Sequence, residues 1–150
     1  MAHARTAIRN ALNAALVAAN TQAADRVYTE SRDGNVSPAD CPFIRLIIES
    51  EAQQSTSMGG GRANRNIERI AVARITYVCA QPTGYVDAVD DALALIEIAM
   101  ANLTGSGIKD ITPAGVRFDI DNSGDTPVFS AEQSFEVFYI TAQGTPATTL

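Results

Sequence analysis

The strongest constraint on the fold is the segment from Ile67 to Ala80, in which apolar residues occupy both faces of an alternating pattern. One face carries Ile67, Arg69, Ala71, Ala73, Ile75, Tyr77 and Cys79, and the other carries Glu68, Ile70, Val72, Arg74, Thr76 and Val78. Side chains alternate between the two faces of a strand, so neither face of this strand is purely polar. The segment therefore predicts a long strand in a sheet that helices cover on one side and that is partly contacted on the other.

Two amphipathic segments supply that cover. Residues 5–19 repeat apolar side chains at steps of four and three, which predicts a helix. Residues 85–102 repeat them at alternating steps of three and four and predict a second helix. The first stripe comprises Ile8, Leu12, Leu16 and Ala19, and the second comprises Val86, Val89, Leu93, Ile96 and Met100.

The remaining elements are strands. Residues 25–29 and 42–49 have strand composition, and the last third of the chain predicts a hairpin. Its first strand, 108–120, is interrupted by a bend at Pro113–Gly115, and its second covers 128–140. The order α-β-β-β-α-β-β predicts an α+β fold: a single mixed or antiparallel sheet of about four to five strands, with both helices packed on one face.

At 150 residues the chain has the size of one domain, and we expect a single domain over 1–150 with its core in about 5–140. Residues 52–66 contain three glycines and mostly polar residues, which predicts a mobile loop. The polar, threonine-rich segment 141–150 predicts a flexible tail.

The charge distribution is uneven along the chain. The net charge is −6, which argues against a general nucleic-acid binder held by phosphate contacts. Residues 1–75 carry a charge of +2 and residues 76–150 carry −8. Such halves offer complementary faces for head-to-tail association, although a solvated acidic surface explains the same distribution.

The sequence contains no clear targeting segment and no cysteine motif. The N-terminus lacks the apolar segment of a signal peptide, and no apolar run approaches the ~20 residues of a membrane span, so we expect the chain to be made in the cytoplasm. The two cysteines, Cys41 and Cys79, have no CxxC partner, and His3 is the only histidine. We therefore expect free thiols and no zinc site.

No catalytic constellation is present in the sequence, so we expect a protein that is not an enzyme and that uses no cofactor. A serine or cysteine nucleophile needs a base within reach, and His3 lies at the N-terminus. The glycine run 59–61 lacks the Lys-Ser/Thr of a phosphate-binding loop. The pattern Asp119-x-Asp121-x-Ser123-Gly124 is a fragment of a calcium loop without its glutamate, so we expect no metal there and a solvated hairpin tip instead.

Two groups of residues are candidates for contact with another molecule. Arg62 and Arg65, with Met58, lie in the predicted loop; a solvated loop is the alternative interpretation. Asp119, Asp121 and Asp125 surround the predicted hairpin turn. These six residues are the candidate assembly interface.

The layout resembles the tail terminator (tail completion) proteins of long-tailed bacteriophages over roughly residues 5–140. The resemblance is carried by an alanine-rich helix IRNALNAAL, a DRVYTESR strand and an apolar PFIRLIIESE strand. The YVDAVDDALALIEIAM helix and a closing hairpin with GDTPVFSAEQSFEVFY complete it. These motifs contain no diagnostic catalytic residue.

The resemblance implies a structural virion protein at the head-proximal end of the tail. Such a subunit forms a ring, hexameric in this family, that caps the tail tube and ends its polymerisation. The ring also presents a surface for the head–tail connector, and DNA passes through its lumen without specific binding. The polar loop and threonine-rich tail depart from the family pattern and leave the docking contacts open.

Two alternatives remain open at the level of sequence. One is a head–tail connector, neck protein or other tail component of similar size. The sequence motifs do not separate such a protein well from a terminator. The other, of a different class, is a monomeric module that binds a small ligand or peptide in an apolar pocket. The sequence leaves open the subunit contacts, the ring face that meets the tube, and whether the tail contracts.

Overall fold

A computed structural model of the chain describes residues 3–29, 37–56, 65–81 and 83–150. It contains two helices, α1 (Ala4–Ala18) and α2 (Tyr85–Ala101), and a short 3-10 turn at Pro38–Asp40. The strands are β1 (Val27–Tyr28), β2 (Phe43–Ser55), β3 (Asn66–Ala80), β4 (Ile108–Asp121) and β5 (Val128–Ala142). None of the helices in the described residues is long and apolar enough to cross a bilayer.

The five strands form one sheet in the order β1-β2-β3-β5-β4. The short strand β1 runs parallel to β2, and every other neighbouring pair is antiparallel, so the sheet is mixed. Its register is continuous between β3 and β5, where Asn66 pairs with Ala142 and Ala80 with Val128. The predicted α+β class and element order are confirmed.

Both helices lie on one face of the sheet, and the core fills the space between them. Ile8, Leu12 and Leu16 of α1 are fully buried as predicted, whereas Ala19, the fourth residue of the predicted stripe, follows the helix and is half-buried. Small side chains at Ala71 and Ala73 belong to the same core in the middle of β3, so they leave room for the helices to pack close to the sheet. In α2 the buried residues are Ala88, Val89, Ala92, Ile96 and Met100.

Val86 departs from the predicted stripe of α2 because it is 54% exposed. The buried line of α2 runs through Ala88 and Ala92, which turn the helix so that Val86 lies on its flank. The periodic pattern was therefore correct for the element and wrong for its first apolar residue. The expected buried thiol is confirmed at Cys79, and Cys41 is also a free thiol.

The strands that flank the predicted loop extend further than the sequence indicated. Residues 52–55 belong to β2, and Asn66 already begins β3; residues 57–64 lie outside the described residues. Ladder pairs such as Gln53 with Arg69 and Ser55 with Ile67 hold these polar residues in the sheet. Backbone pairing tolerates the polar side chains because this end of β2 is exposed.

The segment predicted as an unpacked tail returns to the body of the protein. Residues 141 and 142 complete β5, and the Leu150 amide donates to the Ile140 carbonyl (2.9 Å). The Ala4 amide at the start of α1 donates to the Pro146 carbonyl (2.7 Å). The sequence did not indicate these contacts because they use backbone groups, which leave no hydrophobic pattern.

Candidate functional site

The face of the sheet opposite the helices is open at one end and forms a cleft there. The cleft has a volume of about 800 Å³ and lies between the turn at Pro38 and the tip of the β4–β5 hairpin. Phe43, Thr76 and Val78 form its floor and are nearly fully buried, although no helix covers this face in the described part of the chain. The cleft therefore owes its depth to the hairpin tip and the Pro38 turn.

Acidic side chains line one wall of this cleft. Asp119, Asp121 and Asp125 all contribute to it, so the structure brings together the three aspartates that the sequence singled out. Hydrogen bonds from the side chain and backbone of Ser123 lower the pKa of Asp121, and the Ser123 amide lies 2.9 Å from Asp121 Oδ1. Asp121 is therefore ionised at neutral pH, and the three neighbouring aspartates make this wall acidic.

Arg45 of β2 contributes positive charge to the same cleft. Its Nε atom is buried and has no hydrogen-bond partner in the described structure. A buried donor without an acceptor costs free energy, so a carboxylate brought to this atom from outside would stabilise it. Phe43 beside it is contacted edge-on by Tyr28, with ring centroids 5.8 Å apart.

The other three predicted residues lie elsewhere. Met58 and Arg62 fall outside the described residues. Arg65 immediately precedes β3, and its carbonyl accepts a hydrogen bond from the Gln143 amide (2.7 Å). The hairpin tip lies at the opposite end of β3, about 45 Å away at the rise of an extended strand. The two groups of candidates therefore belong to separate regions.

What these regions offer for interaction is the charge and the shape of their surfaces. His3 Nδ1 accepts a hydrogen bond from the Arg5 amide (3.1 Å) at the start of α1. Within residues 3–29, 37–56, 65–81 and 83–150, no group of three or more His, Cys, Asp and Glu is arranged to hold a metal ion. What the cleft and its surroundings do offer is a surface for binding through charge pairs and apolar contact.

A second surface, which the sequence did not single out, is the edge strand β4. Val116, Phe118 and Ile120 are 48%, 55% and 45% exposed, and they lie side by side along the strand. They point to the helix-covered side of the sheet, because they pair with Gln133, Ala131 and Phe129 on the core face of β5, but they lie beyond the helices. The alternation over 116–120 was the signal for this row; its position at the edge was not visible in the sequence.

A buried polar network, also missed, lies at the far end of the helix-covered face. Glu51 and Arg69 form an ion pair with both side chains only 6% exposed. The Tyr139 hydroxyl donates to the second oxygen of Glu51, Gln53 donates to the first oxygen (2.8 Å), and Arg69 Nε donates to Thr141 Oγ1 (2.9 Å). The network joins β2, β3 and β5.

These contacts shift the pKa values of both acidic groups. Burial acts to raise the pKa of Glu51, but hydrogen bonds from Tyr139, Arg69 and Gln53 outweigh burial and lower it. Burial, followed by the hydrogen bond to Glu51, raises the pKa of Tyr139. Glu51 is therefore ionised and Tyr139 is neutral at physiological pH, which is the arrangement that satisfies a buried guanidinium.

The fold and its surfaces define a two-layer α+β protein with an open sheet face and an exposed edge strand. No protein-family model matches the sequence, and no curated protein matches it. Among solved structures, the chain is similar to one described as "Virion of native gene transfer agent (GTA) particle". The sequence identity is 17% and the TM-score 0.47, over 91% of this chain and 92% of that chain. A likeness at this level carries neither a function nor a partner over to this chain.

Proposed function

We propose that the chain is a structural virion protein, the tail terminator of a long-tailed phage, which assembles head to tail into a closed ring. The ring, hexameric in the family that the sequence resembles, caps the tail tube, ends its polymerisation and receives the head–tail connector. The resemblance over residues 5–140 supports this role, as does the nature of the sheet edges.

The observation that carries the proposal is that one sheet has two unlike edges. β4 forms one edge along all of Ile108–Asp121. At the other edge the short strand β1 pairs with β2 only at Ile44 and Arg45, and no described strand pairs with the outer side of β2 from Ile47 to Ser55. Unlike edges associate heterologously, and such contacts close into a ring when the rotation between subunits fits.

The distribution of charge supports passage of DNA without capture. Most of the acidic residues lie in the second half of the chain, and three of them line the open-face cleft. A surface with negative potential repels the phosphate backbone and releases no counterions on contact. A ring with such a surface towards its lumen lets DNA pass, with the tail tube protein and the connector as its specific partners.

A tube-termination assay tests this function. Tail tube protein from the same phage is polymerised with and without the purified chain, and tube lengths and ends are recorded by electron microscopy with gold-labelled protein. We expect label at one end only and arrested elongation. Unchanged tube growth with no labelled ends would contradict the terminator role, whereas binding to the connector alone would favour a neck protein.

The cleft favours one candidate of another class, a monomeric module that binds a small ligand or peptide. Its buried floor of Phe43 and Val78, next to charged walls, has the composition of a binding site. This candidate predicts a monomer whose cleft variants lose a ligand without any change in assembly. Oligomeric state therefore discriminates between the two.

A further inference from the structure

We propose that the open-face cleft of one copy binds the chain between β2 and β3 of a second copy, residues 57–65, called here the docking segment. The inference rests on the proposed ring and specifies one of its contacts. The aspartates of the cleft and the arginines of the docking segment lie in separate regions of one copy, and the proposed contact joins them across two copies.

The cleft has the properties of a site for a basic segment. Its floor includes Phe43 and Val78, which are only 4% and 6% exposed, within a volume of about 800 Å³. Among the described residues that line the cleft, Arg45 is the one positive side chain, and three are aspartates. An apolar floor beside a wall of net negative charge favours an occupant that carries positive charge and some apolar surface.

The docking segment carries the complementary charge. Residues 52–67 include Arg62 and Arg65 and contain no Asp or Glu. Arg65 is the described one of the two; its Nε has no hydrogen-bond partner, and none of the ion pairs in the described part of the chain includes it. The aspartates of a second copy supply carboxylates for these guanidinium groups. Docking uses the three cleft aspartates and leaves the other acidic residues of 76–150 outside the contact.

Two further features of the cleft fit the same segment. The Nε atom of Arg45 is buried and has no acceptor in the described structure. The glycine run 59–61 has no side chains to shield its carbonyl groups, so its backbone can approach that donor closely when it docks. Met58 precedes the run, and its unbranched side chain adapts to an irregular apolar floor such as that of Phe43 and Val78.

The length of the chain requires that this contact forms between copies. The pairing of β2 with β3 ends where the Thr56 amide donates to the Asn66 carbonyl (3.1 Å). Beyond that point, residues 57–64 reach at most about 16 Å outward, because the chain must also return. The floor of the cleft at Val78 lies about 40 Å away along β3, in the opposite direction. A copy therefore cannot fill its own cleft.

The contact is also directional. The docking segment leaves the sheet at one end of β3, and the cleft lies at the other end of the same strand. Each copy therefore has one donor surface and one different acceptor surface. A contact between two unlike surfaces is heterologous, and repeating it from copy to copy closes a ring when the rotation between subunits fits.

Charge exchange tests the contact. Arg62→Glu/Arg65→Glu reverses the charge of the docking segment, and Asp119→Lys/Asp125→Lys reverses that of the cleft. Assembly of each is measured by native mass spectrometry beside the wild type. We expect each variant alone to assemble at least tenfold less well, because like charges then meet at every contact. The equimolar mixture of the two variants should recover assembly, and so should a chain that carries all four substitutions, because opposite charges meet again.

A matched control separates this contact from a general effect of charge. Arg5→Glu/Lys109→Glu changes the net charge by the same amount as the reversal of the docking segment, at two exposed positions outside both surfaces. It should assemble like the wild type. Asp121 is kept in the cleft variant because it accepts the Ser123 amide in the hairpin turn (2.9 Å). Circular dichroism shows whether each variant is folded.

Disulfide cross-linking detects the contact even when assembly is transient. In a Cys41→Ser background, Gly60→Cys chains are mixed with Ser123→Cys chains under mild oxidation, and the products are separated by mass. The control mixture replaces the Ser123→Cys chain with a Lys109→Cys chain. We expect the mixed dimer of the first pair to be at least tenfold more abundant than that of the control pair.

The outcomes separate this contact from the proposed function. Folded charge variants that assemble like the wild type overturn the docking and leave the ring intact, as does a mixture that fails to recover assembly. Assembly that stops at two copies with the same charge dependence supports the docking and overturns the ring. Should the wild type remain monomeric, mixed dimers no more abundant than those of the Lys109→Cys control overturn the docking, and the tube-termination assay still tests the function.

Discussion

Glu51 and Arg69 form the most demanding contact of the molecule because both charges are almost removed from water. Removing one partner of a buried ion pair leaves the other uncompensated and typically costs about 3–5 kcal/mol. Tyr139, Thr141 and Gln53 complete the hydrogen bonds of the pair, so the network fixes β2, β3 and β5 relative to one another.

We predict that Glu51→Gln lowers the free energy of unfolding by about 3 kcal/mol at neutral pH, measured by urea denaturation. Glu49→Gln is the matched control, since Glu49 pairs with Arg74 on the exposed surface and should cost under about 1 kcal/mol. Equal losses in the two variants would contradict the role of burial.

The Glu51→Gln variant also allows a prediction about how stability depends on pH. The folded-state pKa of Glu51 lies below its ordinary value of 4.5, so the stability that its charge contributes is complete above that value and is lost as the pH falls through the folded pKa. The stability difference between wild type and Glu51→Gln should therefore be constant above about pH 5.5 and shrink as the pH falls below about 4.5. A difference that does not change down to pH 3 would show that the carboxylate charge is not the stabilising group.

This network also shows the limit of sequence reasoning at the scale of residues. The alternating pattern placed Arg69 on the face shared with Ala71 and Tyr77, which was correct and already unusual for an arginine. Its partner was not identifiable, because Glu51 lies at the end of a strand that the sequence ended too early. Pairing between charges distant in sequence depends on register, which local pattern does not determine.

At the scale of elements, the contact between the start of β4 and the returning tail depends on Gly107. This residue has φ = +76°, and a Cβ atom built on it would come within 2.0 Å of Thr149 Cβ. Gly105, two residues earlier, has φ = +94° but no atom within 4 Å of the same position. Both glycines therefore have a positive φ that residues with a Cβ atom rarely adopt. Only Gly107 also lies in close contact with Thr149.

We predict that Gly107→Ala destabilises the protein by about 2–4 kcal/mol, and Gly105→Ala by about 1 kcal/mol, in urea unfolding. The difference in destabilisation between the two variants reports the displacement of Thr149 by the added Cβ atom. Hydrogen exchange at the Ala4 and Leu150 amides, whose acceptors lie at Pro146 and Ile140, should accelerate in the Gly107 variant alone. Identical behaviour of the two variants would show that the tail does not depend on this contact.

Helices and strands were largely predictable from periodicity, but their arrangement was not. The bend predicted at Pro113–Gly115 is a register shift within one continuous strand, β4. The sequence offered no reason to place β5 between β3 and β4. The edge position of Val116, Phe118 and Ile120 could therefore not be predicted. Edge strands are defined by the absence of a neighbour, which is a property of topology and not of composition.

At the scale of the whole molecule, the unlike sheet edges and the exposed apolar row on β4 favour a directional, repeating contact. The sequence showed an uneven distribution of charge between its halves and singled out Asp119, which lines the open-face cleft. It did not identify the exposed apolar row of β4, because that row depends on which strands lie outermost.

The central claim is that copies of this chain associate head to tail into a closed ring, and native mass measured over a concentration series, with negative-stain images of the same samples, tests it most directly. We predict one closed species, of six copies in the family that the sequence resembles, with a central hole and a population that grows with concentration. A monomer at every concentration, or a two-fold dimer that does not grow further, would contradict the claim.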